Sequence, residues 1–199
     1  MNSKVTHINV GNLAENCWFL ANEDTKEAVV IDPGAEPDRI CAAAEKHGWK
    51  ITAILLTHGH IDHMGACESL RTELGVKVYA LTEEEDLLLD AKKNLSVFIE
   101  RKVVTFEPDE LLRDGQELTL AGMKIQVIHT PGHTPGGCSY YVADAGCVFS
   151  GDTLFAESVG RSDFPGGSTS ALVRAVKEKL FLLPDDTLVC PGHGEETKI

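Results

Sequence analysis

Three things are scarce in this 199-residue sequence, and each scarcity excludes a class of protein. No apolar run approaches the roughly 20 residues that a membrane-crossing helix needs, so no membrane partner is expected. Positive charge is short: 18 Lys and Arg face 31 Asp and Glu, a formal net charge of −13 with no basic tract. A binder of phosphate backbones needs clustered cations. Nucleic acid is therefore not an expected partner, and a nuclease or phosphodiesterase is disfavoured. Cysteines are few and scattered, at positions 17, 41, 67, 138, 147 and 190, mostly inside apolar runs such as DTLVCPG and GCVFSG. They read as buried free thiols, not a disulfide framework. The N-terminal stretch MNSKVTHINVGNLAENCWFL has neither the charged nor the long apolar region of a signal peptide. Together these point to a reducing cytoplasm.

What is present is an ordinary globular composition, 43% hydrophobic and 25% charged. No repeat, low-complexity segment or linker divides it, so residues 1–199 are expected to form one domain. KVTHINV, NCWFLAN and EAVVIDPG read as strands, and EPDRICAAAEKHG as a helix with Pro near its start and Gly at its end. ITAILLTH is a short, fully apolar, β-branched run, the mark of a buried strand. MGACESLRTELG reads as a helix, VKVYAL as a strand and TEEEDLLLDAKKNLSVFIE as one helix. In the second half KIQVIHTPGH, CSYYVA, CVFSGD and TLVCPGHG read as strands and STSALVRAVKEKLFLLP as a helix. This mix predicts two β-sheets with helices outside them.

The chemistry is concentrated in HGHIDHM, residues 58–64, where three histidines and an aspartate fall within six positions. Further candidates end other apolar strands: His133 after VIHTPGH, Asp152 after VFSGD and His193 after VCPGH. Strand ends running into Gly-rich turns are where a rigid sheet holds distant residues around one point. Imidazole and carboxylate suit zinc, iron or manganese, and no cysteine among them favours a thiolate site. Five histidines and two aspartates exceed one tetrahedral zinc. Two divalent ions sharing Asp152 use them all and leave positions open for water. His7, His47 and His129 are set aside as ordinary structural histidines, and Cys67 and Cys138 as small packing residues.

THGHIDHMG, PGHTPG, SGDTLF and PGHG, in this order, resemble the metallo-β-lactamase fold superfamily. The likeness runs from NCWFL and VIDPG to the final PGHG. It implies an α/β fold, an αβ/βα sandwich of two mixed β-sheets flanked by helices, with a two-metal site at one edge. It further implies that His58, His60 and His133 hold one metal, that Asp62, His63 and His193 hold the other, and that Asp152 bridges them. Zinc is the first expectation for both ions, with iron or manganese as alternatives. Classical zinc β-lactamases carry cysteine where SGDTLF has Asp152, so antibiotic hydrolysis is not the favoured activity. Flavodiiron proteins replace the second histidine of the cluster by glutamate, whereas His60 is kept here. The sequence is most similar to the glyoxalase II-like hydroxyacylglutathione hydrolases. It looks like the short type in particular, which has a loop like GRSDFPGG and lacks the C-terminal helical domain.

The resemblance implies hydrolysis of a small-molecule thioester, S-(2-hydroxyacyl)glutathione or a similar thiol ester, by a metal-bridging hydroxide that Asp62 orients. For substrate contact the candidates are Arg161, Asp163 and Phe164 in that loop, with Tyr140 or Tyr141. Adjacent strand residues point to opposite faces, so only one tyrosine can reach the site. Arg161 offers a fork for a substrate carboxylate, or else a loop salt bridge with Asp163. Asp32, in VIDPG, either orients a ligand from behind or caps a turn at a strand end. Two rival functions remain at this stage: a mononuclear-iron persulfide dioxygenase, and a metal-binding module without turnover.

Overall fold

A computed structural model describes residues 2–199. Its first sheet has the order β1 (Ser3–Val10), β2 (Glu15–Asn22), β3 (Glu27–Ile31), β4 (Lys50–Leu55), β5 (Lys77–Leu81) and β6 (Glu110–Leu112). The first three strands are antiparallel; from β3 onward the pairing is parallel. Parallel neighbours need crossovers, and helix α1 (Pro37–His47) supplies the first. The short α2 (Ile61–Met64) and α3 (Cys67–Leu74) supply the second. The other sheet reads β14 (Thr197–Lys198), β13 (Leu188–Pro191), β10 (Cys147–Gly151), β9 (Cys138–Val142), β8 (Met123–His129) and β7 (Glu117–Leu120). Its one parallel pair, β10 with β13, is crossed by helix α6 (Thr169–Glu178).

The period-two alternation of the strands explains the layers. Trp18, Leu20, Val29, Ile31 and Leu55 face inward and meet Met123, Ile125, Val127, Tyr140 and Phe149 of the opposite sheet. Their neighbours Phe19, Val30 and Ile54 turn outward and pack with Ile40 of α1 and Leu70 of α3. On the far side, Val148 and Val189 meet Val176 of α6 and Leu180. The central strands are therefore covered on both faces, which is why β3 and β4 read as unbroken apolar runs, whereas β7 and β8 alternate and leave one face to solvent. Burying one such side chain contributes about 1.5–3 kcal/mol. All six cysteines are free, five of them buried. Among the described residues no helix is long and apolar enough to cross a membrane.

Two expected helices are shorter than their apolar patterns. The segment 82–100 breaks into a 3-10 turn, α4 (Glu85–Leu88) and α5 (Ser96–Ile99). Between them Leu95 takes a left-handed φ of 67°, and the buried Asn94 side chain bonds the carbonyls of Leu88 and Val104. A side chain that satisfies backbone groups in this way competes with helix formation. The segment after Ser168 is helical only to Glu178, followed by a 3-10 turn at Leu180–Leu182. The short β6, β7, β14 and the hairpin of β11 (Leu154–Phe155) and β12 (Ser158–Val159) had no clear signature in the sequence.

Candidate metal centre

The strand ends bring the acid and imidazole side chains to one edge of the sandwich. β4 runs through Leu56 and Thr57 into His58; β8, β10 and β13 lead into His133, Asp152 and His193. Asp62 and His63 come from α2, a single turn that follows His60. Two triads form. In each of His58–His60–His133 and Asp62–His63–His193, one ligating atom per residue lies within 4.8 Å of the others. Asp152 stands between them: its Oδ2 is 3.5 Å from His133 Nε2, and its Oδ1 is 3.6 Å from His63 Nε2.

The two triads differ in environment. His58, His60 and His133 are 2%, 3% and 4% exposed. Burial holds the His58 ring far below the usual imidazole range, reinforced by His63, and brings His60 down to about 3 with help from His133. Burial likewise lowers His133. Water-poor surroundings disfavour a cation, so these rings are neutral and offer lone pairs. His133 Nε2 and His60 Nδ1 lie 3.0 Å apart.

In the other triad charge dominates. Burial works against ionisation of Asp62, but His63 and His193 outweigh it and hold the carboxyl well below its usual range. Burial also opposes a proton on His63, yet Asp152 and Asp62 raise the ring well above its ordinary value. His193 Nε2 is 3.3 Å from Asp62 Oδ2 and its side chain is 29% exposed.

Neighbouring groups fix the ring orientations. Asp32 takes the left-handed backbone at the end of β3, φ 53°, a region aspartate tolerates. Its Oδ1 accepts the Thr57 N–H at 2.7 Å and its Oδ2 accepts the Thr57 hydroxyl at 2.5 Å. The same Oδ2 is 3.1 Å from His63 Nδ1. It caps no turn of its own: it ties the end of β3 to the end of β4 and stands behind a candidate ligand. The Arg161 carbonyl performs the second task for His133, 2.7 Å from its Nδ1. Each ring thus turns its Nε2 towards the centre, the arrangement in which an outer partner sets the tautomer.

Donor chemistry tests whether the residues suit metal. His58 Nε2, His63 Nε2 and Asp152 Oδ1 are buried and have no hydrogen-bonding partner in the protein. Such atoms are costly unless something satisfies them. A pair of divalent cations fits this set of acceptors.

The expected substrate contacts divide. Phe164 is half-buried, its ring edge-on to His60 and His133 at 5.3 and 6.1 Å between centroids. Arg161 makes a two-pronged pair with Asp163 at 2.7 and 2.8 Å and lies over the Phe164 ring. The loop salt bridge, not a free guanidinium, is what forms. The Arg161 bond holds the Asp163 carboxyl down at about 2. Neither tyrosine reaches the site. Tyr140 lies between the sheets, fully buried, and donates its hydroxyl to the Leu56 carbonyl at 2.7 Å. Tyr141 faces outward, packs near Val148 and Val176, and borders a cleft with Glu117 and Lys124. His129 lies off the centre, with Nε2 2.9 Å from the Pro135 carbonyl. Cys67 and Cys138 are core residues.

Sequence reading missed two acids. Glu15 is wholly buried beside His63, 3.9 Å from its Nδ1. Glu84 is buried beneath the ligand-bearing loops and accepts backbone N–H groups from both. Glu84 sits in a run of acids and Glu15 at the head of an apolar strand, and nothing in the sequence marks either as interior.

Residues 10–193 match the metallo-beta-lactamase superfamily. The chain is 40% identical over 191 residues to the probable metallo-hydrolase YqgX of Bacillus subtilis, covering 96% of this chain and 90% of that one. It is 34% identical over 187 residues to the hydroxyacylglutathione hydrolase GloC of Haemophilus influenzae, covering 93% and 88%. Among solved structures it is similar to the BLEG-1 B3 metallo-beta-lactamase, with TM-score 0.92, 37% identity and coverage of 98% and 94%. It is also similar to TTHA1623 in a di-iron-bound form, with TM-score 0.85, 36% identity and coverage of 97% and 94%. A family model matched over residues 10–193, with relatives 40% and 34% identical over most of both chains, settles the lineage: the chain belongs to the metallo-β-lactamase superfamily.

Proposed function

We propose that this protein is a two-metal hydrolase of small-molecule thioesters, of the S-(2-hydroxyacyl)glutathione kind. The observation that carries the reading is the convergence of two triads on Asp152, with His58 Nε2, His63 Nε2 and Asp152 Oδ1 buried and unpartnered. Two divalent ions held there, by His58, His60 and His133 and by Asp62, His63 and His193, would polarise a carbonyl and generate a nucleophile from water at neutral pH.

The protein's own groups do the rest. Asp32 and the Arg161 carbonyl hold His63 and His133 in one orientation. Asp62, ionised and partly open to solvent, can accept a hydrogen bond from the attacking water and align it. Phe164 gives the acyl group an apolar wall. A thiol has a low pKa and leaves as thiolate with little help from an acid, which suits a site with no evident general acid. The likeness to GloC supports the choice of substrate class. A second reading, hydrolysis of a β-lactam, is favoured by the likeness to BLEG-1.

The test is metal content of the purified protein, run beside hydrolysis of S-lactoylglutathione and of a chromogenic cephalosporin on the same sample. About two ions per chain with rapid thioester hydrolysis is the expected result. Turnover of the cephalosporin alone would replace the thioester reading with the second. About one iron, no hydrolysis, and oxygen uptake with a persulfide would mean dioxygenase chemistry instead. Tight metal with no turnover of any substrate would leave only a binding module.

A further inference from the structure

Glu84 is one of three consecutive glutamates after β5, yet it is 1% exposed. Its carboxylate reaches two loops that rise from different sheets. Oε1 accepts the Gly59 N–H at 2.8 Å, between His58 and His60. Oε2 accepts the Gly136 N–H at 2.8 Å, three residues beyond His133. Both glycines are places where backbone must come close. A Cβ on Gly59 would lie 2.7 Å from Leu88 Cδ2 of α4, and one on Gly136 would lie 2.1 Å from the Glu84 nitrogen. The start of α4 is thus wedged against both loops, and its one buried carboxylate ties them together.

We propose that Glu84 is a positioning residue: its carboxylate clamps the HGH loop to the PGHTPGG loop and so sets the spacing at which His58, His60 and His133 share one metal ion. The proposal rests on the reading that these three rings hold an ion. A carboxylate suits the task because it is acceptor-only at both oxygens, and bonds from N–H to an ionised acceptor are the stronger kind. Glutamine has the same shape but replaces one oxygen by an NH2, which sets donor against donor at one of the two loops. Aspartate keeps the charge and is one methylene too short to span both amides.

The experiment compares the wild-type chain with Glu84→Gln, Glu84→Asp and, as control, Glu83→Gln. It is run at pH 8, above the value of about 7 to which burial raises the Glu84 carboxyl. In the metal-free proteins, amide hydrogen exchange at Gly59 and Gly136 reads the clamp directly. In the same proteins a cobalt(II) titration, followed by visible absorption, reads the three-histidine group. Expected are about tenfold faster exchange at one or both glycines and about tenfold weaker cobalt binding at that group in both Glu84 variants. Binding at Asp62–His63–His193, and everything in Glu83→Gln, stays as in wild type. Wild-type exchange and wild-type cobalt affinity in the Glu84 variants would overturn the clamp. If Glu84→Gln does not fold, Glu84→Asp decides the matter by the same two readouts. A wild-type protein without a three-histidine cobalt spectrum would sink the metal reading, whereas the exchange result would still judge the clamp.

Discussion

The two halves of the candidate metal centre, three histidines on one side and an aspartate with two histidines on the other, work under opposite physics. His58, His60 and His133 are closed off from water, and burial keeps them neutral. Asp62 and His193 are partly exposed, with the fully buried His63 behind them, and charge rather than burial dominates there. A neutral, buried triad has lone pairs ready and no competing proton. A charged triad already satisfies part of its electrostatics internally, and an incoming cation must replace those internal pairs. The contrast implies a tight, slowly exchanging position beside a more open one, joined through Asp152.

Removing the joint should have the largest effect. Asp152→Ala takes a carboxylate oxygen from both triads at once, and we expect loss of bound metal and of turnover together; elemental analysis with an activity assay checks this. Next, His60→Ala and His193→Ala should separate the halves. His60→Ala is expected to empty the closed triad, whereas His193→Ala should leave one ion there, resistant to timed dialysis against a chelator. Equal losses in both variants would erase the distinction.

Asp32→Ala comes third. It frees His63 Nδ1 and Thr57 while leaving every candidate ligand in place, so metal affinity at the open triad should fall about 10–100-fold, measurable by calorimetric titration. Phe164→Ala should leave metal content alone and raise KM roughly tenfold, the loss of one aromatic contact. The smallest effect is expected from Tyr140→Phe. It leaves the buried Leu56 carbonyl with only the weak Cys138 S–H donor and should cost about 1 kcal/mol in a denaturant titration, with catalysis unchanged.

Much of this centre was legible in the sequence, for a physical reason. Metal ligands at strand ends carry their own punctuation: an apolar β-branched run, then glycine or proline, then histidine or aspartate. His133, Asp152 and His193 carry it in full, His58 ends its apolar run with the glycine after it, and the structure brings the four together. The two layers of sheet were legible in the same way, because strands buried on both faces must be apolar throughout. Direction and burial of single side chains were not legible. Tyr140 and Tyr141 alternate as a strand requires, but alternation does not say how far below the rim a strand lies. Glu84 looks like its neighbours, the exposed Glu83 and the half-buried Glu85, and only the folded chain sets it under two loops. The helix expected over 82–100 failed at Asn94, whose amide finds better partners than a helix interior offers.

The loop after Asp152 divides its labour between main chain and side chains. The Arg161 carbonyl fixes His133, while its guanidinium pairs with Asp163 and lies over Phe164, whose ring faces His60 and His133. Mutation can rewrite the second set without touching the first, since every residue has a carbonyl. A lineage built on this loop is therefore free to drift among substrates while its reactive core stays intact, which makes the loop a natural place for new specificities to evolve.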